Sequence, residues 1–177
     1  MSATATNWLE LIEQLPDDAE LKLHNISWDD YEELLEQVGE ASGLRISYDE
    51  GTIQIMTLSS EHENDVRFFE KLMALISVRL RMNIRSFGSS TMRKRRREKG
   101  SEPDACFYMQ SAPLIGNRRK LDFTTDPPPD IAVKVDVHHG SEDKLSIYAG
   151  LGVPEVWRYD GAQLTIHLLE EGNYIEA

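Results

Sequence analysis

Residues 130–159 read DIAVKVDVHHGSEDKLSIYAGLGVPEVWRY, and this stretch carries the clearest structural pattern of the chain. Apolar residues alternate with more polar ones over Asp130–Val137, a period of two that predicts a strand. Ser141–Gly150 has the pattern of a helix, and Gly152-Val153-Pro154 leads into a second strand at Glu155–Tyr159. A strand, a helix and a strand in this order predict an α/β or α+β fold in which helices flank a mixed central sheet.

The segments upstream of this unit add an antiparallel hairpin and the longest helix. Leu44–Asp49 and Thr52–Thr57 both alternate and flank Glu50-Gly51, which is typical of a β-hairpin. Ser60-Glu61-His62-Glu63 has the pattern of a capping box, and the apolar residues that follow it repeat at helical spacing as far as Leu80. The other predicted elements are helices at 8–15 and 27–39, strands at 20–26, 84–87, 103–109 and 163–169, a loop or hairpin at 91–100 and a loop at 111–129.

Length and composition limit the class of protein. The chain has 177 residues, 40% of them hydrophobic, and a formal net charge of −12. This size predicts one domain over residues 1–177, with residues 1–24 as a peripheral N-terminal segment. The single cysteine, Cys106, excludes a disulfide framework and a multi-cysteine zinc site, and it fits the reducing cytoplasm, where we expect the protein to reside. No apolar run approaches about 20 residues, so we expect no membrane partner.

Positive charge is concentrated in one segment. Residues 91–120 contain nine basic and three acidic residues, a net charge of +6, whereas the remainder of the chain carries −18. An acidic body disfavours general binding to duplex phosphates, but one basic segment could still contact a phosphate backbone. The alternative interpretation is a solvated hairpin tip. The residues expected to bind nucleic acid are Arg93, Lys94, Arg95, Arg96, Arg97 and Lys99.

Three polar side chains are expected to meet on neighbouring strands. Asp104 follows Pro103 at the start of one strand, and Lys134 and Asp136 lie two residues apart on the less apolar face of another. If these strands pair, two carboxylates and an ammonium group converge. Carboxylates around Mg²⁺ with a nearby lysine can hydrolyse a phosphodiester, because the metal lowers the pKa of its bound water. The competing interpretation is a cross-strand salt bridge without catalysis.

These residues and several others resemble a restriction-endonuclease-like family of the PD-(D/E)XK nuclease superfamily. The resemblance covers residues 25–175. The Pro-Asp element alone is a weak signal, whereas the ordered set of motifs is specific for membership. The matching pieces are Ser59-Ser60-Glu61-His62-Glu63, Glu102-Pro103-Asp104-Ala105-Cys106-Phe107-Tyr108, Pro128-Pro129-Asp130-Ile131-Ala132-Val133, Lys144 with Tyr148, and Leu151-Gly152-Val153-Pro154-Glu155-Val156-Trp157-Arg158-Tyr159-Asp160.

The resemblance implies a restriction-endonuclease-like core and Mg²⁺-dependent cleavage of DNA. It makes Asp104 the first metal-binding carboxylate of the family. It also implies that the helix beginning near residue 60 supplies a further acid, Glu61 or Glu63, with His62 at the family's histidine position. Lys144 matches a lysine that members of the family can use in place of a lysine on the strand.

One residue departs from the family pattern. Lys134 stands where the family usually has Glu, and a protonated lysine cannot coordinate a cation. In one interpretation the site is rearranged, so that Asp136 binds the metal together with Asp104 and Lys134 is the catalytic lysine. In the other, the nuclease is inactive and Lys134 is an internal counter-ion of Asp104 or Asp136. We favour the second interpretation slightly.

Other residues have simpler interpretations. As an isolated histidine, His62 is a hydrogen-bonded packing residue, and Cys106 is a small buried residue. His138 and His139 are adjacent, so they face opposite ways on a strand and are best explained as part of a solvated turn. The function classes that remain are an endonuclease, a catalytically inactive module that binds DNA or protein, and a homodimer built on exposed strands.

Overall fold

The computed structural model describes residues 8–39, 43–136 and 142–177. The described helices and strands confirm the predicted mixture, and they form two sheets. The helices are α1 Trp8–Glu13, α2 Trp28–Val38, α3 Ser60–Leu80, α4 Ala112–Ile115 and α5 Glu142–Leu151. The strands are β1 Glu20–His24, β2 Leu44–Asp49, β3 Thr52–Thr57, β4 Arg85–Ser86, β5 Met92–Lys94, β6 Lys99–Ser101, β7 Ala105–Tyr108, β8 Ile131–Val135, β9 Glu155–Tyr159, β10 Leu164–Glu170 and β11 Asn173–Glu176.

The first sheet has the strand order β1-β3-β2-β6-β5 and contains the predicted hairpin of β2 and β3. One face of that hairpin packs on α1 and α2, where Trp28, Tyr31 and Tyr48 are buried. Helix α2 begins with a capping box: the Asp30 backbone N–H donates to Ser27 Oγ, and the Ser27 N–H donates back to the Asp30 carboxylate. The apolar face of the hairpin is therefore closed by the two N-terminal helices.

The second sheet has the order β11-β10-β9-β8-β7-β4 and is mixed. Strands β8 and β9 are parallel and are connected through α5, which confirms the predicted strand–helix–strand unit. Alternate residues of β8 face opposite helices: Val133 packs with Phe69 of α3, whereas Ala132 packs with Ile147 of α5. Lys134 shares the parity of Ala132 and therefore points to the α5 side of the sheet.

The boundary predicted for α3 is wrong by one residue. Ser59 is the N-cap, because its backbone is extended and its Oγ accepts a hydrogen bond from the His62 N–H at 3.3 Å. Ser60, which was predicted to cap the helix, is already its first residue. The capping pattern starting at Ser59 has His62 at its third helical position, so it lacks the Glu or Gln that a complete capping box needs.

Two further differences concern turns that periodicity does not reveal. Strand β11 was not predicted, and it pairs with β10 through a two-residue turn in which Glu171 and Gly172 both have positive φ. The predicted loop at 111–129 contains the one-turn helix α4, which has a proline in its first turn. Among the described helices, none is long and apolar enough to cross a membrane.

Candidate functional site

Asp104 lies at the junction between the two sheets. Residues 102–104 connect β6 of the first sheet to β7 of the second, and the Asp104 N–H donates to the Val133 carbonyl at 2.9 Å. This bond continues the antiparallel pairing of β7 with β8 by one residue. The Asp104 side chain is fully buried, with 0% exposure. Its position is therefore set by the pairing of β7 with β8, as the sequence predicted.

Both carboxylate oxygens of Asp104 are held by nitrogen donors. Oδ2 accepts hydrogen bonds from Lys134 Nζ at 2.7 Å and from the Val135 N–H at 2.8 Å. Oδ1 accepts one from Arg45 Nε at 2.9 Å and lies 3.4 Å from His62 Nε2. Burial alone would raise the pKa of Asp104, but Lys134, His62 and Arg45 hold that pKa far below its usual range. Asp104 is therefore a buried carboxylate anion.

Arg45 is a member of this site that the sequence analysis missed. It lies on β2, where Ile46 points into the apolar core and Arg45 points to the opposite face. Its guanidinium is buried, donates to the Leu44 carbonyl as well as to Asp104, and lies 3.6 Å from Glu63 Oε1. The available signal was a charged residue on the polar face of an alternating strand, together with Ser47 and Asp49, and this signal does not reveal the distant partner.

His62 contributes to the site more directly than expected. The first turn of α3 brings its ring to Asp104, and the side chain is only 6% exposed. Of the two acids beside it, Glu63 reaches Arg45, whereas Glu61 is exposed and makes no hydrogen bond or ion pair within the described part of the chain. The structure therefore brings Glu63, but not Glu61, to the edge of the group around Asp104.

Asp136 and Lys134 both extend from the C-terminal end of β8. Lys134 is buried against Asp104, which confirms that these two side chains meet. Asp136 Oδ2 lies 3.3 Å from Arg158 Nε on β9, and the Asp136 N–H donates to the Tyr159 carbonyl at 2.7 Å. Asp136 is thus held by the parallel pair of β8 and β9.

Lys144 enters the same region from α5. Its side chain is buried, and its Nζ lies 2.9 Å from Met56 Sδ on β3. Burial, reinforced by the positive charge of Lys134, lowers the pKa of Lys144 to about 7, although Asp104 and Asp136 oppose this shift. Lys144 is therefore a buried lysine whose charge is coupled to those of Lys134, Asp104 and Asp136.

Two residues on either side of Asp104, Glu102 and Cys106, have structural roles. Glu102 accepts hydrogen bonds from Thr91 Oγ1 at 2.7 Å and from the Ile46 N–H at 3.0 Å, and burial raises its pKa. Cys106 is fully buried and burial raises the pKa of its thiol to about 12, in agreement with a packing role. His138 and His139 lie outside the described residues.

The residues around Asp104 do not fit a divalent cation. Mg²⁺ needs oxygen ligands in octahedral geometry and binds proteins through carboxylates. Here Lys134 Nζ and Arg45 Nε, both positively charged groups, already bind the two oxygens of Asp104. Among the residues that the structure describes, no group of three or more His, Cys, Asp or Glu side chains is arranged to hold a metal ion. Asp104 is thus an anion whose two oxygens are bound by positively charged groups, the reverse of a carboxylate that binds magnesium.

The basic segment forms a hairpin of β5 and β6 with a short 3-10 helix at its tip. Three of its six candidate residues bind other parts of the chain: Lys94 donates to the Leu151 carbonyl, Lys99 pairs with Asp49, and Arg95 pairs with acids of α2. The other three are exposed at or near the tip, and they make no ion pair with any described residue. They are Arg93, Arg96 and Arg97.

A cleft of about 790 Å³ begins beside this hairpin. Its walls include the basic residues Arg93, Arg119 and Lys120, together with the rings of Phe87 and Phe123. Arg119 and Lys120 are exposed and form no ion pair within the described ranges. The cleft therefore combines three basic residues and aromatic surface with three acidic residues, Glu36, Glu102 and Asp122. Glu102, two residues before Asp104, also lines it, so the cleft reaches the segment that carries the buried ion cluster.

Comparison with known proteins identifies the family. The family model of Uma2, described as “Putative restriction endonuclease”, matches residues 28–177. This range contains both sheets apart from β1, and it includes every residue of the cluster around Asp104. A comparison with curated proteins finds no match. The fold, a mixed sheet flanked by helices with an aspartate at the start of β7, agrees with a restriction-endonuclease-like core. The chain therefore belongs to the Uma2 family and has a nuclease-like fold.

Proposed function

We propose that this protein is a nuclease-fold module that binds nucleic-acid phosphates and does not cleave them by the metal-dependent route. The observation that carries this proposal is the ion pair between Lys134 and Asp104. It turns the carboxylate that would bind the metal into the counter-ion of a lysine. Bringing a divalent cation to Asp104 would require the displacement of two buried positive groups, Lys134 and Arg45, from the carboxylate that accepts a hydrogen bond from each of them.

Binding to phosphate is supported by the exposed positive charge near the cleft. Arg93, Arg96 and Arg97 on the hairpin, with Arg119 and Lys120 on the cleft wall, have no internal counter-ion among the described residues. Arginine binds phosphate in a bidentate geometry, and aromatic rings such as Phe87 and Phe123 can stack on unpaired bases. The acidic remainder of the surface would limit the contact to this face.

Calorimetry with Mg²⁺ and Mn²⁺ tests whether the residues around Asp104 bind a divalent cation. We expect wild type not to bind either ion at this site, and Lys134→Glu to gain binding, because the variant restores the carboxylate of the family pattern. Lys134→Met is the matched control: it removes the same ammonium group without adding a ligand, and we expect it not to bind. Tight Mg²⁺ binding by wild type would contradict the proposal.

The test of phosphate binding is fluorescence anisotropy of labelled single-stranded and duplex DNA at low and at physiological salt. We expect binding that weakens steeply with salt, since counterions are released from the phosphates. The triple substitution of Arg93, Arg96 and Arg97 by Gln should abolish most of it. Absence of binding at low salt would refute this part and would leave a protein partner as the remaining function of the module.

A rearranged nuclease is the second candidate. It is favoured by the contact between Lys134 and Asp104 and by the electrostatic coupling of the buried Lys144 to Asp104 and Asp136, because positive groups near carboxylates can also serve phosphodiester hydrolysis. Nicking of supercoiled DNA with Mg²⁺ or Mn²⁺ separates the two candidates. Nicking by wild type that is lost in Asp104→Asn and Asp136→Asn proteins with a native circular dichroism spectrum would establish the rearranged enzyme, whereas equal background nicking in all three proteins would exclude it.

A further inference from the structure

Helix α3 has an exposed apolar face. Among the residues that the structure describes, nine large apolar side chains are exposed, and five of them lie on α3 or just after it. Phe68 is 58% exposed, Leu75 63% and Val78 78%. A single exposed apolar residue is ordinary, but several on one helix mark a surface that another element covers.

The spacing of these residues matches a helix–helix interface. Phe68, Leu75 and Val78 are separated by seven and three residues, which places them on one stripe in the a and d positions of a heptad. Lys71 completes the stripe between Phe68 and Leu75 and can contribute its aliphatic stem. The opposite side of the helix, with Phe69, packs on the second sheet. Helix α3 is therefore apolar on two faces, and only one of them is covered within the described chain.

The charges along α3 indicate what covers this face. Glu61, Glu63 and Asp65 lie in its N-terminal turns, whereas Arg79 lies in its last turn and Arg81 caps it. A second copy of the same helix, running antiparallel, would place acidic turns beside basic ones. In the register that sets Phe68 opposite Val78 of the partner subunit, Asp65 is level with the Arg79–Arg81 segment of the partner subunit. A parallel pair would instead bring like charges together.

We propose that this chain forms a homodimer through an antiparallel pairing of the two α3 helices. The stripe of Phe68, Lys71, Leu75 and Val78 forms the centre of the interface. The contact is isologous, since each helix offers the same surface to the other around a two-fold axis. This interface lies on a helix face, whereas the sequence had suggested exposed strands as the site of pairing. The proposal does not depend on nucleic-acid binding.

Sedimentation velocity tests the dimer. We expect wild type to sediment as a dimer and Leu75→Lys as a monomer. In the register that sets Phe68 opposite Val78 of the partner subunit, position 75 lies opposite Lys71 of the partner subunit, so the substitution brings two lysines together on each side of the two-fold axis. Leu75 is exposed in the subunit, so the variant keeps its circular dichroism spectrum. Leu114→Lys is the matched control: Leu114 is 67% exposed but lies on α4, and this variant stays dimeric. A monomeric wild type, or a dimer that survives Leu75→Lys, overturns the proposal.

Disulfide cross-linking tests the orientation of the helices. The native Cys106 is fully buried, so only the engineered cysteines can form a disulfide between subunits. We expect an oxidised mixture of Phe68→Cys and Val78→Cys subunits to form a cross-linked heterodimer, whereas neither variant cross-links to itself. In the antiparallel register, position 68 of one helix lies about 15 Å along the axis from position 68 of the other, and the same holds for position 78, so a single variant cannot cross-link to itself. Cross-linking of each single variant with itself would show a parallel pair and overturn the antiparallel one.

Discussion

Lys134 Nζ lies 2.7 Å from Asp104 Oδ2, and both side chains are almost completely buried. This contact joins Lys134, at a position where the resemblance led us to expect a glutamate, to Asp104, which we expected to be the first metal-binding carboxylate. A buried ion pair is stable only when its hydrogen bonds are complete, and Asp104 meets this condition with Arg45 and the Val135 N–H. Lys134 is therefore held in the interior of the protein as the counter-ion of Asp104.

Removing the negative charge of Asp104 should destabilise the protein strongly. Asp104→Asn leaves Lys134 buried without its counter-ion and removes one of the partners of Arg45, and we expect a loss of about 3–5 kcal/mol in the free energy of unfolding. Asp17→Asn, at an exposed aspartate of the chain, should change it by less than about 0.5 kcal/mol. Urea denaturation followed by circular dichroism measures both values. Equal stability of the two variants would show that the negative charge of Asp104 does not stabilise the fold.

Lys144 should make stability rise with pH. Its folded pKa, about 7, is below the ordinary lysine value of 10.5, so the unfolded chain binds more protons between these values. From pH 7 to 9 we expect each pH unit to add up to about 1.4 kcal/mol to the free energy of unfolding. Lys144→Met should be more stable at pH 7 and should lack this slope.

The difference in pH dependence of the free energy of unfolding between wild type and Lys144→Met gives the contribution of Lys144 alone, because both proteins contain the other titrating groups. Denaturation midpoints at pH 7, 8 and 9 give the two slopes. Parallel slopes for both proteins would contradict a lowered pKa of Lys144.

Neighbouring arginines of the basic hairpin should differ in their effect on DNA binding. Arg96 is exposed and unpaired among the described residues, so Arg96→Gln should weaken binding and reduce the salt slope by about one unit. Arg95 is already bound to Asp29 and Glu32, so Arg95→Gln should have a smaller effect. Anisotropy titrations at several salt concentrations measure both. The proposed phosphate contact fails if the two variants lose affinity equally.

The N-cap of α3 can be tested directly by substitution. Ser59→Ala removes the hydrogen bond from the His62 N–H and should lower the free energy of unfolding by about 1 kcal/mol. Ser60→Ala, at the first helical position, should be neutral or slightly stabilising, since alanine has the higher helix propensity. Thermal denaturation of the two variants distinguishes them. The reverse order of effects would restore Ser60 as the cap.

The sequence by itself determined the elements whose signals are local. The hairpin of β2 and β3 and the unit of β8, α5 and β9 follow from apolar periodicity, caps and turn residues, which act within a few neighbouring positions. The contact between Lys134 and Asp104 could also be predicted from the sequence, because strand alternation fixes which side chains share a face.

Only the tertiary structure decided what surrounds Asp104. Arg45 comes from the other sheet and His62 from the start of α3, and their meeting depends on how the sheets and the helix pack against each other. Periodicity assigns each residue to a face of its own element but contains no information on the distance between elements. Which charged groups surround Asp104, and therefore whether a cation can bind there, is decided by the packing of these elements. Electrostatic interactions act through space and not along the chain, so the sequence does not reveal them.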